Sequence, residues 1–359
     1  MPTLPLHVRH QQQGARFSPV HEWELPADYG DPQSEYRAVR EKVGAADLSH
    51  QRPFLITGRD RVPFLQNLIS NDLNKLEQGK GLYATLLTAK GRVLSDFYLY
   101  LLADALFMDV EWTNAQKTVD QLMRFKLRSQ IKIESPPWGR LLVSGPQARP
   151  LLEALFGSLP IDQEKSFFQT ESDGITLRCI KQSITGGEDY HLYVPLEGLE
   201  KIWERLFSAG GVFGLTPFGQ STLETLRIEA GKPRYGIDID EHIIPIEAGL
   251  EAEAISYTKG CYPGQEVMAR IQTYGHVNKQ LMGLTIEGTE LPKKDDKIFQ
   301  GEKELGWITG ATRSPLTGQV IAMGYVRPQI ATPGTAVEVE IAQARKAAQV
   351  SALPFHRPG

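Results

Sequence analysis

The sequence predicts an α+β fold in which a duplicated unit is followed by a small antiparallel domain. Two observations carry that prediction. The first half contains an internal repeat, and after Gly275 short strand candidates alternate with Gly and Pro clusters. The length agrees, because 359 residues exceed one ordinary core and suit two or three.

The repeat aligns Phe54 to Ile69, FLITGRDRVPFLQNLI, with Leu141 to Phe156, LLVSGPQARPLLEALF, without a gap. Gly58 falls on Gly145 and Pro63 on Pro150. Each copy begins as a short apolar strand, turns at Gly and enters a helix with helical apolar spacing, as in Phe64, Leu65, Leu68 and Ile69. Two strands follow in the first copy, Leu82 to Leu102 around an Ala89-Lys90-Gly91 turn, then a strand from Ala105 to Glu111. A helix capped by Thr113 carries Val119, Leu122 and Met123. The second copy repeats the order with strands at Ile175 to Ile180 and Tyr190 to Val194 and a helix at Glu200 to Ala209. Strand, helix, strands, helix is the order of a split βαβ unit, and two such units indicate an old duplication.

An earlier helix is expected from Pro32 to Val43, capped by Asp31 and ended by Gly44. In the last section Leu281 to Ile286, Leu305 to Thr312, Val320 to Val326 and Ala336 to Ile341 read as strands of a small antiparallel barrel or sandwich. The expected divisions are 1–136, a first unit with its N-terminal helix; 137–274, a second unit; and 275–359, the strand-rich domain.

Composition narrows the partners. A formal charge of −4 gives no bulk signature for nucleic-acid or membrane binding. No apolar run is long enough to span a bilayer, and the first residues lack the apolar core of a secretory signal. Two cysteines, Cys179 and Cys261, form no disulfide framework, so a reducing cytoplasm is the expected compartment. The eight histidines show no metal motif, and no metal site is expected.

Thr258 to Arg270, TKGCYPGQEVMAR, carries the most chemical information. A lysine beside a thiol favours the thiolate, and glycines allow close backbone approach. Cys261, framed by Lys259, Gly260 and Gly264, therefore reads either as a chemical site or as a small cysteine in a tight turn. The run Lys259-Gly260-Cys261-Tyr262-Pro263-Gly264-Gln265-Glu266 resembles the K-G-C-[YF]-x-G-Q-E signature of the YgfZ family, a branch of the aminomethyltransferase (GcvT-like) superfamily. Glu35 to His50, Thr225 to Gly249 and Gly306 to Val326 extend the likeness to the superfamily over nearly the whole chain.

The resemblance implies a GcvT-like fold: two split βαβ (ferredoxin-like) units and a C-terminal antiparallel β-barrel around a central folate channel. Tetrahydrofolate or a one-carbon derivative is the implied cofactor. The implied role is an accessory protein for iron–sulfur cluster assembly or repair, including that of tRNA-modifying enzymes. Iron–sulfur proteins or their assembly factors would then be partners, with Cys261 and Asp96 as catalytic candidates. The alternatives are the aminomethyltransferase of glycine cleavage, or a folate-binding scaffold without chemistry.

Asp96, in GRVLSDF, matches the second acid of the superfamily's G-G-I-x-D-D-L motif, which lies near the folate nitrogens. Alternation puts it on one strand face with Leu94 and Tyr98, and an acid among apolar neighbours needs a partner or a raised pKa. Arg227 occupies the arginine of L-R-x-E-A-G, with Glu229 or Glu247 as its expected acid. Tyr83 and Tyr98 are expected to flank the ligand. At the position of the superfamily's pterin-binding Glu this chain has His191, whose neutral ring offers one donor and one acceptor. That departure predicts little or no glycine-cleavage activity, with Glu188 as a substitute acid. Asp238, Asp240 and Glu241 are expected to form a solvated loop.

Overall fold

A computed structural model describes residues 1–275 and 277–356. It bears out the α+β architecture: a five-stranded antiparallel sheet and a six-stranded sheet that is antiparallel except for its edge strand, each with helices on its outer face, a two-stranded hairpin at 16–20 and 23–28, and a closed barrel. The first sheet has five strands in the order 81–87, 93–101, 105–110, 54–57, 132–134. The second has six, ordered 166–172, 175–181, 189–195, 138–144, 43–47, 215–217. The barrel joins six strands, 280–286, 320–326, 303–313, 297–300, 336–341 and 344–351.

The duplication has a physical basis in its glycines. Gly58 and Gly145 both sit at positive φ, +104° and +123°. A Cβ at Gly58 would lie 2.1 Å from the Gln130 carbonyl oxygen, and one at Gly145 would lie 2.6 Å from those of Val39 and Lys42. Pro63 and Pro150 each occupy the third position of the following helix, Arg61–Gln66 and Ala148–Phe156, where a missing N–H costs nothing. In each sheet the strand before the second helix, 105–110 or 189–195, lies antiparallel beside the first strand of its copy.

One face of each sheet is closed by its helices. Ile56, Leu65, Phe97, Leu99, Met108 and Leu122 form the first core. Leu141, Val143, Leu192, Trp203 and Leu206 belong to the second. The opposite faces look toward each other and touch through Tyr100, Phe107, Ile180 and Tyr193, with the Phe107 and Tyr193 rings 4.8 Å apart. Beyond that contact the faces diverge, and the space between them is the site.

Several expectations need correction. The helix expected over 32–43 ends at Glu41, a shorter one at His7–Gln12 precedes it, and Val43–Asp47 is already a strand, so Gly44 ends no helix; it lets Val39 and Phe218 close over the backbone. That strand belongs to the second sheet, pairing with 138–144, so the N-terminal segment does not stay with the first unit. Conversely, the Lys259–Glu266 segment packs on the loops of the first sheet rather than the second. The helix after Glu111 is not capped by Thr113, which lies within its first turn, Trp112–Arg124. The barrel holds two more strands than the sequence pattern revealed, 297–300 and 344–351. No helix among the described residues is long and apolar enough to cross a membrane.

Candidate functional site

A cavity of about 1000 Å³ lies between the two sheets, bordered at its sides by residues 230–235 and 248–250, the barrel strand at Gln280–Met282 and the C-terminal Leu353, Pro354 and His356. That volume sits at the upper end of the range for cofactor-sized sites. The first sheet supplies its reactive wall. Register places Tyr83 opposite Tyr98, Tyr98 opposite Asp109 and Thr85 opposite Asp96. Since strand side chains alternate, Asp96, Tyr98, Asp109 and Glu111 face the cavity while Ser95, Phe97 and Val110 face the helices. Phe97 and Val110 also reach its edge.

Asp96 stands as the sequence suggests, between Leu94 and Tyr98 on an alternating strand. Tyr83 Oη donates to one carboxylate oxygen at 2.5 Å. The other, Oδ1, is buried and has no hydrogen-bond partner among the described residues. Burial pushes this carboxyl up to about 6, against the lowering effect of the Tyr83 hydroxyl. The Tyr83 and Tyr98 rings pack at 4.7 Å and an interplanar angle of 38°, giving an aromatic surface beside the acid.

The second sheet presents groups already committed. Arg140 donates to Asp109 at 2.9 Å, to Gln51 at 2.6 Å and to His191 Nδ1 at 3.1 Å. The remaining His191 nitrogen is 3.0 Å from the Gln182 carbonyl. His191 is fully buried behind Arg140 and does not line the cavity. Burial, reinforced by the Arg140 charge, holds its ring far below the ordinary imidazole pKa and therefore neutral. Glu188 does not substitute for it; its carboxylate takes Lys181 at 3.0 Å and the Tyr190 hydroxyl at 2.7 Å.

Arg227 lines the cavity, but its expected partners are wrong. Residues 220–229 form a helix, so Glu229, two positions on, faces elsewhere. Arg227 instead holds Glu224 at 2.6 Å and Asp238 at 2.6 Å. Asp238 is buried and also accepts from Thr309, which removes it from the solvated loop expected of it. Glu229 meets Arg40, Tyr36 and Ser314, joining the N-terminal helix to the barrel. Glu247 lies outside the cavity, 3.8 Å from both Arg92 and Lys279.

The Lys259–Glu266 segment also lies outside the cavity lining. Lys259 is buried and its ammonium donates to the carbonyls of Gln66, Ile69 and Asn71 at 2.6, 2.6 and 2.9 Å. Burial pulls its pKa down to about 8. Its charge thus ties down a loop of the first sheet rather than serving a thiolate. Gly264, at φ +84°, lies where a Cβ would come 2.7 Å from the Thr88 carbonyl oxygen. Tyr262 is buried, Gln265 reaches the Lys259 carbonyl at 3.4 Å, and Gly260, Cys261 and Glu266 are exposed. Among the described residues no cluster of three or more His, Cys, Asp or Glu could hold a metal ion.

Sequence reasoning missed Arg140, Gln182, Asp109 and Glu111. The last two left a signal: acids two apart at the end of the apolar run Ala105–Val110, hence on one face.

Comparison with known proteins covers almost the entire chain. Residues 6–259 match the GCVT N-terminal domain, and residues 279–356 match the glycine cleavage T-protein C-terminal barrel domain. A protein of Chloroherpeton thalassium named Aminomethyltransferase is 32% identical, with 99% of each chain covered. Another so named, from Halothermothrix orenii, is 29% identical over 99% of this chain and 100% of its own. The crystal structure of glycine cleavage system aminomethyltransferase T from Bartonella henselae superposes with a TM-score of 0.90 at 24% identity, over 99% of this chain and 98% of that one. These findings overturn the resemblance to the YgfZ family. The segment that suggested it is a structural brace, built on Lys259 and Gly264, beside the cavity.

Proposed function

This chain belongs to the family defined by the GCVT N-terminal domain and the glycine cleavage T-protein C-terminal barrel domain, and on that premise we propose that it is an aminomethyltransferase with tetrahydrofolate as one-carbon acceptor. The reading replaces that of an iron–sulfur accessory protein, which rested on the Lys259–Glu266 segment and is contradicted by full-length relatives named for aminomethyl transfer. It also replaces the expectation of little glycine-cleavage activity, which rested on His191 alone.

The observation that carries it is Asp96: a cavity acid with one oxygen held by Tyr83 and the other free. The residues fit a reduced folate. The Tyr83–Tyr98 surface suits a flat ring, the free Asp96 oxygen suits a nitrogen that carries or loses a proton, and the volume admits a cofactor. When bound, tetrahydrofolate supplies the amine nitrogens to which the one-carbon unit is transferred. Asp96, poised near neutrality at about 6, can hold a proton at its free oxygen or release it to a leaving amine. Tyr83 fixes the carboxyl orientation. Arg227, neutralised by Asp238 and Glu224, holds the cavity wall. Wrapping by both sheets, the barrel and the C-terminal segment limits the entry of water, which would compete for a reactive one-carbon unit.

Turnover with an aminomethylated lipoyl carrier protein and tetrahydrofolate tests the reading. Release of ammonia with formation of methylenetetrahydrofolate is expected. Absence of turnover together with absence of tetrahydrofolate binding by calorimetry would remove it.

A further inference from the structure

Five acids line the cavity: Asp96, Asp109, Glu111, Glu164 and Glu253. Four are engaged. Asp96 accepts from Tyr83 and Asp109 from Arg140. Glu164 accepts from the Ser183 amide at 2.9 Å and Glu253 pairs with Lys165 at 2.9 Å. Glu111 makes no side-chain hydrogen bond or ion pair within the described residues. It forgoes even the partner its position offers. Glu111 is the N-cap residue of the Trp112–Arg124 helix, where a short acidic side chain would accept from a first-turn amide, and its carboxylate makes no capping bond. The strand register aims it. Phe97 pairs with Val110, so the next positions on the two strands, Asp96 and Glu111, come level on the cavity face.

We propose that Glu111 receives the donor edge of the folate ring, its carboxylate oxygens accepting the ring N–H and the adjacent exocyclic amine. The inference rests on the tetrahydrofolate reading above and names the residue that orients the ring within it. A carboxylate presents two coplanar acceptors, which matches two parallel N–H donors and no single-donor edge. Asp96 beside it is left for the nitrogens at the reacting end. Its neighbours suit the task. Burial raises the Glu111 carboxyl to about 7, with Arg234 and Arg140 opposing that rise and Asp96 and Asp109 adding to it. A ligand that brings two donors favours the ionised form. His191 cannot share the role, since Arg140 and the Gln182 carbonyl occupy both of its nitrogens. Glu111 is thus a positioning residue, one that touches the ring far from the transferred carbon.

The test is a cycle between one side chain and one ligand group. Affinities for tetrahydrofolate and for its desamino analogue, which lacks the exocyclic amine, are measured by calorimetry on the wild-type chain and on Glu111→Gln. Glutamine keeps the shape of the side chain but replaces one acceptor with a donor. Glu111→Gln is expected to weaken tetrahydrofolate about 10- to 100-fold. It should change the affinity of the desamino analogue by less than about threefold. The variant should unfold no more easily than the wild type at neutral pH, since it removes a carboxylate that burial disfavours. Equal losses for both ligands, or no loss for tetrahydrofolate, would overturn the assignment. A wild-type chain that binds neither ligand would instead overturn the folate reading on which it stands.

Discussion

The two copies of the duplicated unit share an element order and differ in what their inward faces do with polar groups. In the second copy Arg140, His191, Gln182 and Asp189 are all buried and all bonded to protein; Asp189 alone takes both Ser144 and Thr185 hydroxyls and two backbone amides. In the first copy, among the described residues, Asp96 keeps one buried oxygen without a partner, and Glu111, at the cavity edge, makes no capping or other side-chain hydrogen bond. A buried polar group without a partner is costly, so a fold retains one where a ligand will complete it. The second face also leaves Tyr193 Oη, Ser183 Oγ and two Arg178 nitrogens without partners among the described residues, but its acids are paired. The first face keeps uncommitted carboxylate oxygens at the cavity, so the second acts as a wall and the first as a site. Substitutions should therefore register as lost stability in the second copy and lost turnover in the first.

Asp96→Asn should give the largest effect. The amide keeps a bond to Tyr83 but cannot exchange a proton, so kcat is expected to fall by about 10²- to 10⁴-fold. Tetrahydrofolate affinity should change far less. Steady-state kinetics with the carrier substrate, paired with calorimetry, separates the two quantities. A variant with near-normal kcat would place the chemistry on another residue and dissolve the contrast between the copies.

Arg140→Met is the counterpart on the wall. It removes one partner of a buried ion pair, whose side chains are 4% and 7% exposed, and strands His191 as well. Breaking such a pair from one side costs about 3–5 kcal/mol. Urea unfolding should show that loss. If the stability holds and only turnover falls, Arg140 belongs with the reacting groups and the wall is not inert.

A smaller effect follows from pH. The Asp96 carboxyl sits at about 6 in the folded chain, above its unfolded value near 4, because burial disfavours the charge. The folded state therefore holds more protons between those values. The stability this group contributes is complete below pH of about 4 and is lost as pH rises through about 6. Glu111, raised to about 7, works in the same direction. Asparagine at position 96 does not titrate, so Asp96→Asn should gain on the wild type by about 2–3 kcal/mol from acid to neutral pH. Urea midpoints for both proteins at the two ends of the range provide the check. Parallel curves would mean that the Asp96 pKa is not raised.

What the sequence reveals divides along the same line. The repeated Gly58 and Gly145 could be recognised because their requirement is local: a positive φ against a carbonyl leaves no choice of residue. Asp96 could be found because an acid in an apolar alternating strand is anomalous on its own. The Arg227 partners could not. Glu229, two positions on, would share a strand face with Arg227, whereas the helix 220–229 turns it away and Arg227 meets Asp238 from a loop eleven residues on. Arg140 meets Asp109 across two sheets, a pairing that no spacing encodes. The Lys259–Glu266 segment misled for the opposite reason. Its residues are tightly constrained, but the constraint comes from three loop carbonyls and one glycine contact, and short-range sequence cannot distinguish a brace from a site.

That distinction sets the smallest expected effect. Cys261 is exposed, bears no role in the cavity lining, and sits next to a lysine whose three donors are spent on backbone carbonyls. Cys261→Ser should therefore leave stability within about 0.5 kcal/mol and leave turnover unchanged, as for most exposed positions. Its neighbour should behave otherwise. Lys259→Met leaves the carbonyls of Gln66, Ile69 and Asn71 without their shared donor, at about 1–3 kcal/mol. Native thiol labelling should modify Cys261 readily while Cys179, buried in the second core, reacts only on unfolding. If Cys261→Ser abolishes transfer while the fold and tetrahydrofolate affinity persist, the segment does chemistry after all, and the reacting face extends beyond the cavity wall drawn by Asp96 and Glu111.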